Sequence, residues 1–259
     1  MKTQHSASIS KKIASVPHWY HQISMPDGSV TPGINNSADT FLIYEKLGFP
    51  ENLTGKRVLD IGCADGYLSF LAEQRGAAEV IAVDYRLPTA SGFSVAAEIL
   101  NSKVKHVVAN VYDLSPKKYG TFDFVIFVGV LYHLRNPLLA LDRVRSMSKP
   151  NTRVLIESHV ADAELTSKMS GLGLSNEQTR SLVSLPIWNF YYSDSLNNDA
   201  SNKWAPTLAG LYHICNEAQL QPIKHIGFGS RGAAMCLAIE DGSLEHSRML
   251  DAATGVDIA

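Results

Sequence analysis

The sequence predicts a doubly wound α/β domain on a mostly parallel, seven-stranded sheet. Three observations carry this. From residue 56 onward, short apolar runs alternate with stretches of helical periodicity, the pattern of strand–helix–strand units. One run, FDFVIFV at 122–128, is almost wholly apolar, as suits a central parallel strand covered on both faces. The last two runs, PIKHIGFG and AAMCLAIED, lie close together and read as a closing antiparallel pair.

Each element follows in order. Residues 1–17 read as a flexible lead. The segment HWYHQISMPDGSVTPGINN, aromatic and then rich in turn formers, opens an N-terminal arm over 18–49, since free tails rarely carry Trp19 and Tyr20 beside Ile23 and Met25. Ser37–Leu47 has the pattern of a short helix. KRVLDIG is the first strand and ends at Asp60. Gly66–Arg75 shows a periodic apolar face of Tyr67, Leu68, Leu71 and Ala72 and is read as a helix. AEVIAVD at 78–84 is the second strand, 90–101 a helix, KHVVANV the third strand and 122–128 the fourth. Pro137–Met147 is a helix and TRVLIESH the fifth strand. Residues 160–205 break the rhythm with aromatic and polar clusters and are read as an inserted lid. Pro206–Gln221 returns as a helix. The main domain is expected over 50–240, with a frayed tail at 241–259. Right-handed crossovers place the loops after the strands along one edge, where ligands bind.

Composition narrows the function classes. The chain has 259 residues, 45% hydrophobic and 19% charged, with a formal net charge of −2. Lys and Arg are scattered, so no broad positive field favours a nucleic-acid backbone. The three cysteines, Cys63, Cys215 and Cys236, form no CxxC, which points away from a disulfide scaffold or zinc knuckle. The opening MKTQHSASISKK lacks the apolar stretch of a signal peptide, and no run approaches the ~18 apolar residues of a membrane span. A cytoplasmic location and no membrane partner are the expectation.

The sharpest local signal is VLDIGCADGYLSFLAEQRGAAEVIAVD. A glycine-containing turn joins a strand to a helix, and Gly62 and Gly66 let backbone approach a ligand. This is not GxGxxG, because Asp65 stands at the place of a middle glycine. Asp60 at the strand end would repel a phosphate but pair with an ammonium group. Asp84 ends the next strand, where it can take two ribose hydroxyls. The inferred ligand is a nucleoside bearing an amino acid or other cation, without phosphate. In the competing reading, Asp60 caps the following helix and Gly62 only turns the chain.

These stretches resemble the class I S-adenosylmethionine-dependent methyltransferases, with their Rossmann-like fold. LDIGCADG is similar to their first motif, IAVD to their second and FDFVIFVGVLYHL to their fourth-strand motif. The resemblance implies S-adenosylmethionine as cofactor and S-adenosylhomocysteine as product. It sets Asp60 and Gly62 beside the methionine moiety, Asp84 at the ribose, Asn110 and Val111 at the adenine and Gly129 in the pocket floor. Cys63, Gly66 and Tyr85 complete the implied cofactor set. HWYHQISMPDGSVTPG, GVLYHLRNPLLAL, WNFYY and NKWAP resemble a narrower group that includes the tRNA wobble-uridine carboxymethyltransferases. In those enzymes the tyrosine matching Tyr132 touches the carboxylate of carboxy-S-adenosylmethionine. The lysine that helps grip that carboxylate has no counterpart in HWYHQISMPDG, and plain S-adenosylmethionine fits better.

Methyl transfer from a sulfonium needs alignment of the nucleophile and removal of its proton. Aromatic rings stabilise the sulfonium, and Trp19, Tyr20 and Tyr132 are the candidates. His133, with an ordinary pKa near 6.5, is either the general base or a residue that holds its loop. Arg135 either fixes an acidic group on the substrate or pairs with a carboxylate. Glu157, inside an apolar run, needs a partner or a purpose, and substrate orientation is the purpose favoured. Trp188, Tyr191, Tyr192 and Trp204 line an acceptor pocket or form a small core. No close metal-ligand spacing is present, and no metal is expected. The expected activity is O- or N-methylation of a small-molecule acceptor. The alternatives are methyl or carboxymethyl transfer to the tRNA wobble uridine, and a non-catalytic cofactor-binding partner protein. A homodimer is entertained as the assembly.

Overall fold

A computed structural model describes residues 2–239. The strands are β1 (Arg57–Ile61), β2 (Glu79–Asp84), β3 (Lys105–Val108), β4 (Phe122–Val128), β5 (Ser148–His159), β6 (Trp188–Phe190), β7 (Trp204–Pro206), β8 (Leu220–Phe228) and β9 (Arg231–Ala238). The helices are α1 (Lys2–Ala14), α2 (Ser37–Leu47), α3 (Tyr67–Gln74), α4 (Phe93–Leu100), α5 (Pro116–Tyr119), α6 (Pro137–Ser146), α7 (Asp162–Gly171), α8 (Asn176–Val183) and α9 (Leu208–Glu217). Seven strands form one sheet in the order β3-β2-β1-β4-β5-β9-β8, and β6 pairs with β7 in a separate ribbon. β1 lies between β2 and β4, so the order reverses at β1, the kind of switch point where open α/β sheets bind ligands. No described helix is long and apolar enough to cross a membrane.

The chain divides into two compact units. The first runs to Val111 and adds Phe122–Ile126. In it, β1, β2 and β3 are parallel, with Asp60 beside Ala82 and Asp84 beside Val108. Val58, Leu59 and Ile61 of β1 are buried, as the apolar run requires. α3 then buries Leu68, Ser69, Phe70 and Ala72. The arm makes a tight turn at Gly28, whose φ of 87° suits only glycine without strain, with the Met25 carbonyl accepting from the Gly28 N–H at 3.0 Å.

The expectation of a flexible lead over 1–17 is corrected by α1. Ile9 and Ile13, four residues apart, share one helix face and pack with Trp19, Phe93 and Ala96 in a buried cluster. The Trp19 indole N–H donates to the Ile13 carbonyl at 3.0 Å, and Lys12 pairs with Glu98 at 2.9 Å. Burial of each large apolar side chain is worth about 1.5–3 kcal/mol, ample reason for the segment to stay helical.

The second unit takes Tyr112–Thr121 and the chain from Phe127 on. β9 runs antiparallel to β5 and to β8, as the closing pair predicted. The β8–β9 register slips between Pro222 and Lys224, where proline has no N–H to give the ladder. β5 begins at Ser148 rather than Thr152. Residues 160–205 contain α7, α8 and β6, with a full capping box at Ser175 and Gln178. The expected tail at 241–259 lies outside the described residues.

Gly92 precedes α4 in direct contact with Trp19. A Cβ there would sit 2.1 Å from the indole ring. Gly92→Ala should therefore cost about 1–3 kcal/mol in urea unfolding and disturb Trp19 fluorescence. Gly171→Ala, where a Cβ meets nothing within 4 Å, should cost nothing measurable. Equal stability of both variants would contradict this packing.

Candidate functional site

In the first unit, the loop between β1 and α3 gathers the predicted residues. The Gly62 and Cys63 N–H groups both donate to the Val83 carbonyl, at 2.7 and 3.1 Å, which locks the loop to the end of β2. Gly62 (φ 82°) and Gly66 (φ 91°) adopt left-handed backbone. Asp60 is buried, and its carboxylate accepts from the Ser69 hydroxyl at 2.5 Å. Burial pushes its pKa up to about 7, Ser69 opposes the rise, and the Asp84 charge adds to it. Asp60 does not cap α3, whose N-cap is Gly66 with no side-chain bond; its partner is Ser69 within the helix, which the motif did not reveal.

Asp84 is buried at the end of β2. Its Oδ1 accepts from the Arg86 N–H and Nε at 3.0 and 3.1 Å, and Oδ2 from the Ala64 N–H and an Arg86 terminal nitrogen at 3.1 and 3.2 Å. Burial alone would raise its pKa. The bonds from Arg86 and Ala64 outweigh it, and the net direction is downward. Two carboxylates in one small unit are thus pushed apart. Tyr85 is 75% exposed, and Leu87 and Val108 also lie open near the ends of β2 and β3. Asn110 is exposed and Val111 buried, just after Ala109 donates to the Asp84 carbonyl at 3.0 Å.

Asp65 is the residue that sequence reasoning undervalued. It is 1% exposed. Its Oδ2 accepts from the Tyr20 and His21 N–H groups at 2.7 and 2.8 Å, and its Oδ1 from the Gly92 N–H at 2.8 Å. A glycine at this place would leave those N–H groups without a carboxylate. The signal in the sequence was the break from GxGxxG itself.

One expectation for this unit is corrected. Trp19 does not offer its ring to a ligand, because it is 3% exposed inside the α1–α4 cluster. Cys63 is also buried there, and burial drives its thiol well above the ordinary range. Tyr20 remains partly open, its ring edge-on to His21 at 4.9 Å. Burial lowers His21 to about 4, with Asp65 opposing.

In the second unit, β4 gives way to Gly129 (φ 73°), whose N–H donates to the Glu157 carbonyl at 3.2 Å. A short 3-10 turn, Leu131–His133, follows with Leu131 wholly buried as its plug. The turn presents Tyr132 and His133 with ring centroids 4.1 Å apart. The Arg231 guanidinium lies 4.6 Å from the Tyr132 ring centroid. Arg231 also grips both Glu157 oxygens, through Nε and through a terminal nitrogen at 2.7 Å. The expected orientation of substrate by Glu157 is therefore corrected, since its carboxylate is taken by Arg231. Arg231 sits opposite His159 on β9, two residues along from Glu157's own partner, so the pair is a diagonal one across antiparallel strands. Only that pairing could have identified it.

Burial lowers His133, with Ser201 and Asp199 opposing. It lowers His159 to about 4, and Arg231 adds to that fall. His133 Nδ1 is 3.0 Å from the Ser201 hydroxyl, and the Lys203 N–H donates to the Tyr132 carbonyl at 2.8 Å. Arg135 is exposed. Among the aromatic residues of 188–204, Tyr191 is buried with Ala161, Leu196 and Ala205 and donates to Glu164. Trp204 packs on Phe190 and Trp188, whereas Tyr192 is 82% exposed. Tyr191 thus sits in a small core, whereas Trp188 and Trp204 are half-buried. Among the described residues, no cluster of three or more His, Cys, Asp or Glu could hold a metal ion.

Comparison with known proteins adds three findings. A family described as "Methyltransferase domain" matches residues 40–220. The tRNA U34 carboxymethyltransferase of Geobacter sp. (strain M21) is 31% identical over 112 residues, 43% of this chain and 35% of that relative. The protein of the same name from Pseudomonas aeruginosa is 31% identical over 125 residues, 48% of this chain and 38% of the relative. The chain thus matches little more than a third of the length of these curated relatives. Among solved structures, the N-terminal domain of EvdMO1 with SAH bound aligns with a TM-score of 0.61 at 14% identity, covering 91% of this chain and 97% of that one. The 1,6-didemethyltoxoflavin-N1-methyltransferase of Burkholderia thailandensis aligns with a TM-score of 0.51 at 16% identity, over 78% and 84%. At these identities the structures speak to the fold, and they agree with the doubly wound sheet. The family match covers well over half of the residues and agrees with the motifs read in LDIGCADG and IAVD, so the chain belongs to the methyltransferase-domain family.

Proposed function

We propose that the chain is an S-adenosylmethionine-dependent methyltransferase acting on an oxygen or nitrogen of a small-molecule acceptor. The observation that carries this is the pair of buried carboxylates, Asp60 and Asp84, at the ends of adjacent parallel strands with the Gly62–Gly66 loop between them. Two acids suit an ammonium group and a ribose diol and repel a phosphate. The exposed apolar side chains of Tyr85, Leu87 and Val108 offer a face for a flat base. Arg86 spans both Asp84 oxygens, so a diol would have to share them with it or displace it.

S-adenosylmethionine, when bound, supplies an activated methyl group on a sulfonium. Asp60 would hold the ammonium, Asp84 the ribose, and the Gly62–Gly66 backbone would follow the amino-acid moiety. His133, neutral near pH 7, would take the acceptor's proton. Arg231 lies against Tyr132 with its charge already balanced by Glu157, so this part of the second unit is not arranged to take a further carboxylate. A second reading, carboxymethyl or methyl transfer to a tRNA wobble uridine, is favoured by the names of the curated relatives. The net charge of −2, the missing arm lysine and the Glu157–Arg231 pair weigh against it.

Calorimetric titration with S-adenosylmethionine, S-adenosylhomocysteine and carboxy-S-adenosylmethionine distinguishes these readings. Micromolar binding of the first two with weak binding of the third is expected. A preference for the carboxylated compound would move the assignment to tRNA, and binding of none would sink it. Asp84→Ala should weaken binding roughly 10–100-fold, the worth of hydrogen bonds to a charged group. His133→Ala should instead lower S-adenosylhomocysteine formation in a screen of phenols and amines by ~10²–10⁴ while binding persists. Full turnover by that variant would remove His133 as base.

Asp60 generates a separate prediction. Its carboxyl, pushed up to about 7, is mostly protonated at pH 6 in the free protein. An ammonium ligand favours the carboxylate, so binding at pH 6 should release up to about one proton, and affinity should rise as pH climbs toward 7 and level off above it. Titrations at pH 6 in buffers of different ionisation enthalpy read this directly. Asp60→Asn should abolish the release. Proton-neutral binding by the unmodified protein would show that Asp60 does not meet the ammonium.

A further inference from the structure

We propose that Asp199 and Ser201 are positioning residues that hold His133 in its Nδ1–H form, leaving the Nε2 lone pair free to receive the acceptor's proton. The inference rests on the reading of His133 as the base and names the residues of the 160–205 segment that serve it.

The argument is an accounting of hydrogens. The Ser201 hydroxyl lies 2.6 Å from Asp199 Oδ1 and 3.0 Å from His133 Nδ1. A hydroxyl has one hydrogen to donate. The carboxylate can only accept, so at the shorter distance the Ser201 hydrogen goes to Asp199. The Ser201 oxygen then faces His133 Nδ1 as an acceptor, and that nitrogen must carry the hydrogen. In a neutral imidazole the other nitrogen, Nε2, is left as the acceptor. The opposite arrangement, with Ser201 donating to Nδ1, would leave two oxygens 2.6 Å apart with no hydrogen between them.

The local backbone is built to hold this order. The Ser201 N–H also donates to Asp199 Oδ1, at 2.8 Å, which closes a tight turn around the carboxylate. Asn202, buried, is fixed at both ends: its N–H donates to the Asp199 carbonyl at 3.0 Å and its side-chain amide to the Leu196 carbonyl at 2.9 Å. The Lys203 N–H then donates to the Tyr132 carbonyl at 2.8 Å, joining this turn to the residue before His133. Lys203 Nζ caps the Ala200 carbonyl at 2.6 Å. Four charged or aromatic groups bear on the imidazole: Asp199 and Lys203 from this turn, Arg231 from β9 and the Tyr132 ring from its own turn. Arg231 and Lys203 disfavour an imidazolium, Asp199 favours it, and Glu157 offsets Arg231.

The proton step balances without a relay. The acceptor's O–H or N–H bond breaks and an Nε2–H bond forms. The Nδ1 hydrogen stays on His133, and the Ser201 hydrogen stays toward Asp199. The negative charge of Asp199, transmitted through an oriented hydroxyl, favours the imidazolium that results.

Nitrogen-15 NMR of the whole chain tests this without any acceptor, with His133 assigned by its disappearance in His133→Ala. The unmodified protein should show Nδ1 protonated and Nε2 bare above the titration midpoint. Ser201→Ala should lose that preference and move toward the Nε2–H form, and Ser201→Thr, which keeps a hydroxyl, should restore it. Asp199→Asn should lower the His133 midpoint by about 0.5 pH unit, since a negative charge that favours the protonated form is gone. An Nε2–H tautomer in the unmodified protein, or one unmoved by Ser201→Ala, overturns the positioning role and leaves the base reading standing. The expected tautomer together with full S-adenosylhomocysteine formation by His133→Ala overturns the base reading instead.

Discussion

A buried carboxylate with three backbone N–H donors organises the first unit. Asp65, 1% exposed, binds the N–H groups of Tyr20, His21 and Gly92. Charge-assisted bonds of this kind are about twice as strong as neutral ones, and three together meet the cost of burying the charge. Each of the three anchors a different piece of chain. Tyr20 and His21 belong to the arm, Gly92 opens α4, and Asp65 itself stands in the loop after β1. The consequences spread outward. With Gly92 held, there is room for the Trp19 ring against it, and Trp19 in turn gives α1 an apolar face to cover.

The acids of the first unit divide by environment. Asp60 is sealed in beside Ser69, and burial pushes its carboxyl up to about 7. Asp84 has Arg86 and a backbone donor and stays ionised. Neighbouring carboxyls with separated pKa values can carry separate tasks. Here one acid is pushed up to about 7 and the other is held below the usual carboxylate range.

The second unit shows the same logic with opposite signs. Arg231 brings a permanent cation to the Tyr132 ring, and Glu157 cancels most of its field. His133 and His159 are both lowered by burial, so both imidazoles favour the neutral form. The turn at 199–203 then distinguishes the two histidines, because only His133 receives a hydroxyl at Nδ1.

The sequence alone determined the alternating strands and helices, the glycine turn after the first strand, and the acids at the ends of the first two strands. Those features are local: period, turn chemistry and an apolar run can be read within a dozen residues. Only the tertiary structure decided which side chains meet. Asp65 finds Tyr20 across 45 residues and Gly92 across 27, Ser201 finds His133 across 68, and Arg231 finds Glu157 across 74. No local pattern encodes such partners, because they depend on strand register and loop closure rather than on neighbouring residues. The same reason moved Trp19 from an imagined ligand wall to the core and turned a supposed loose lead into a helix: an aromatic ring or an Ile pair reads alike in sequence whether it faces a ligand or a neighbouring helix.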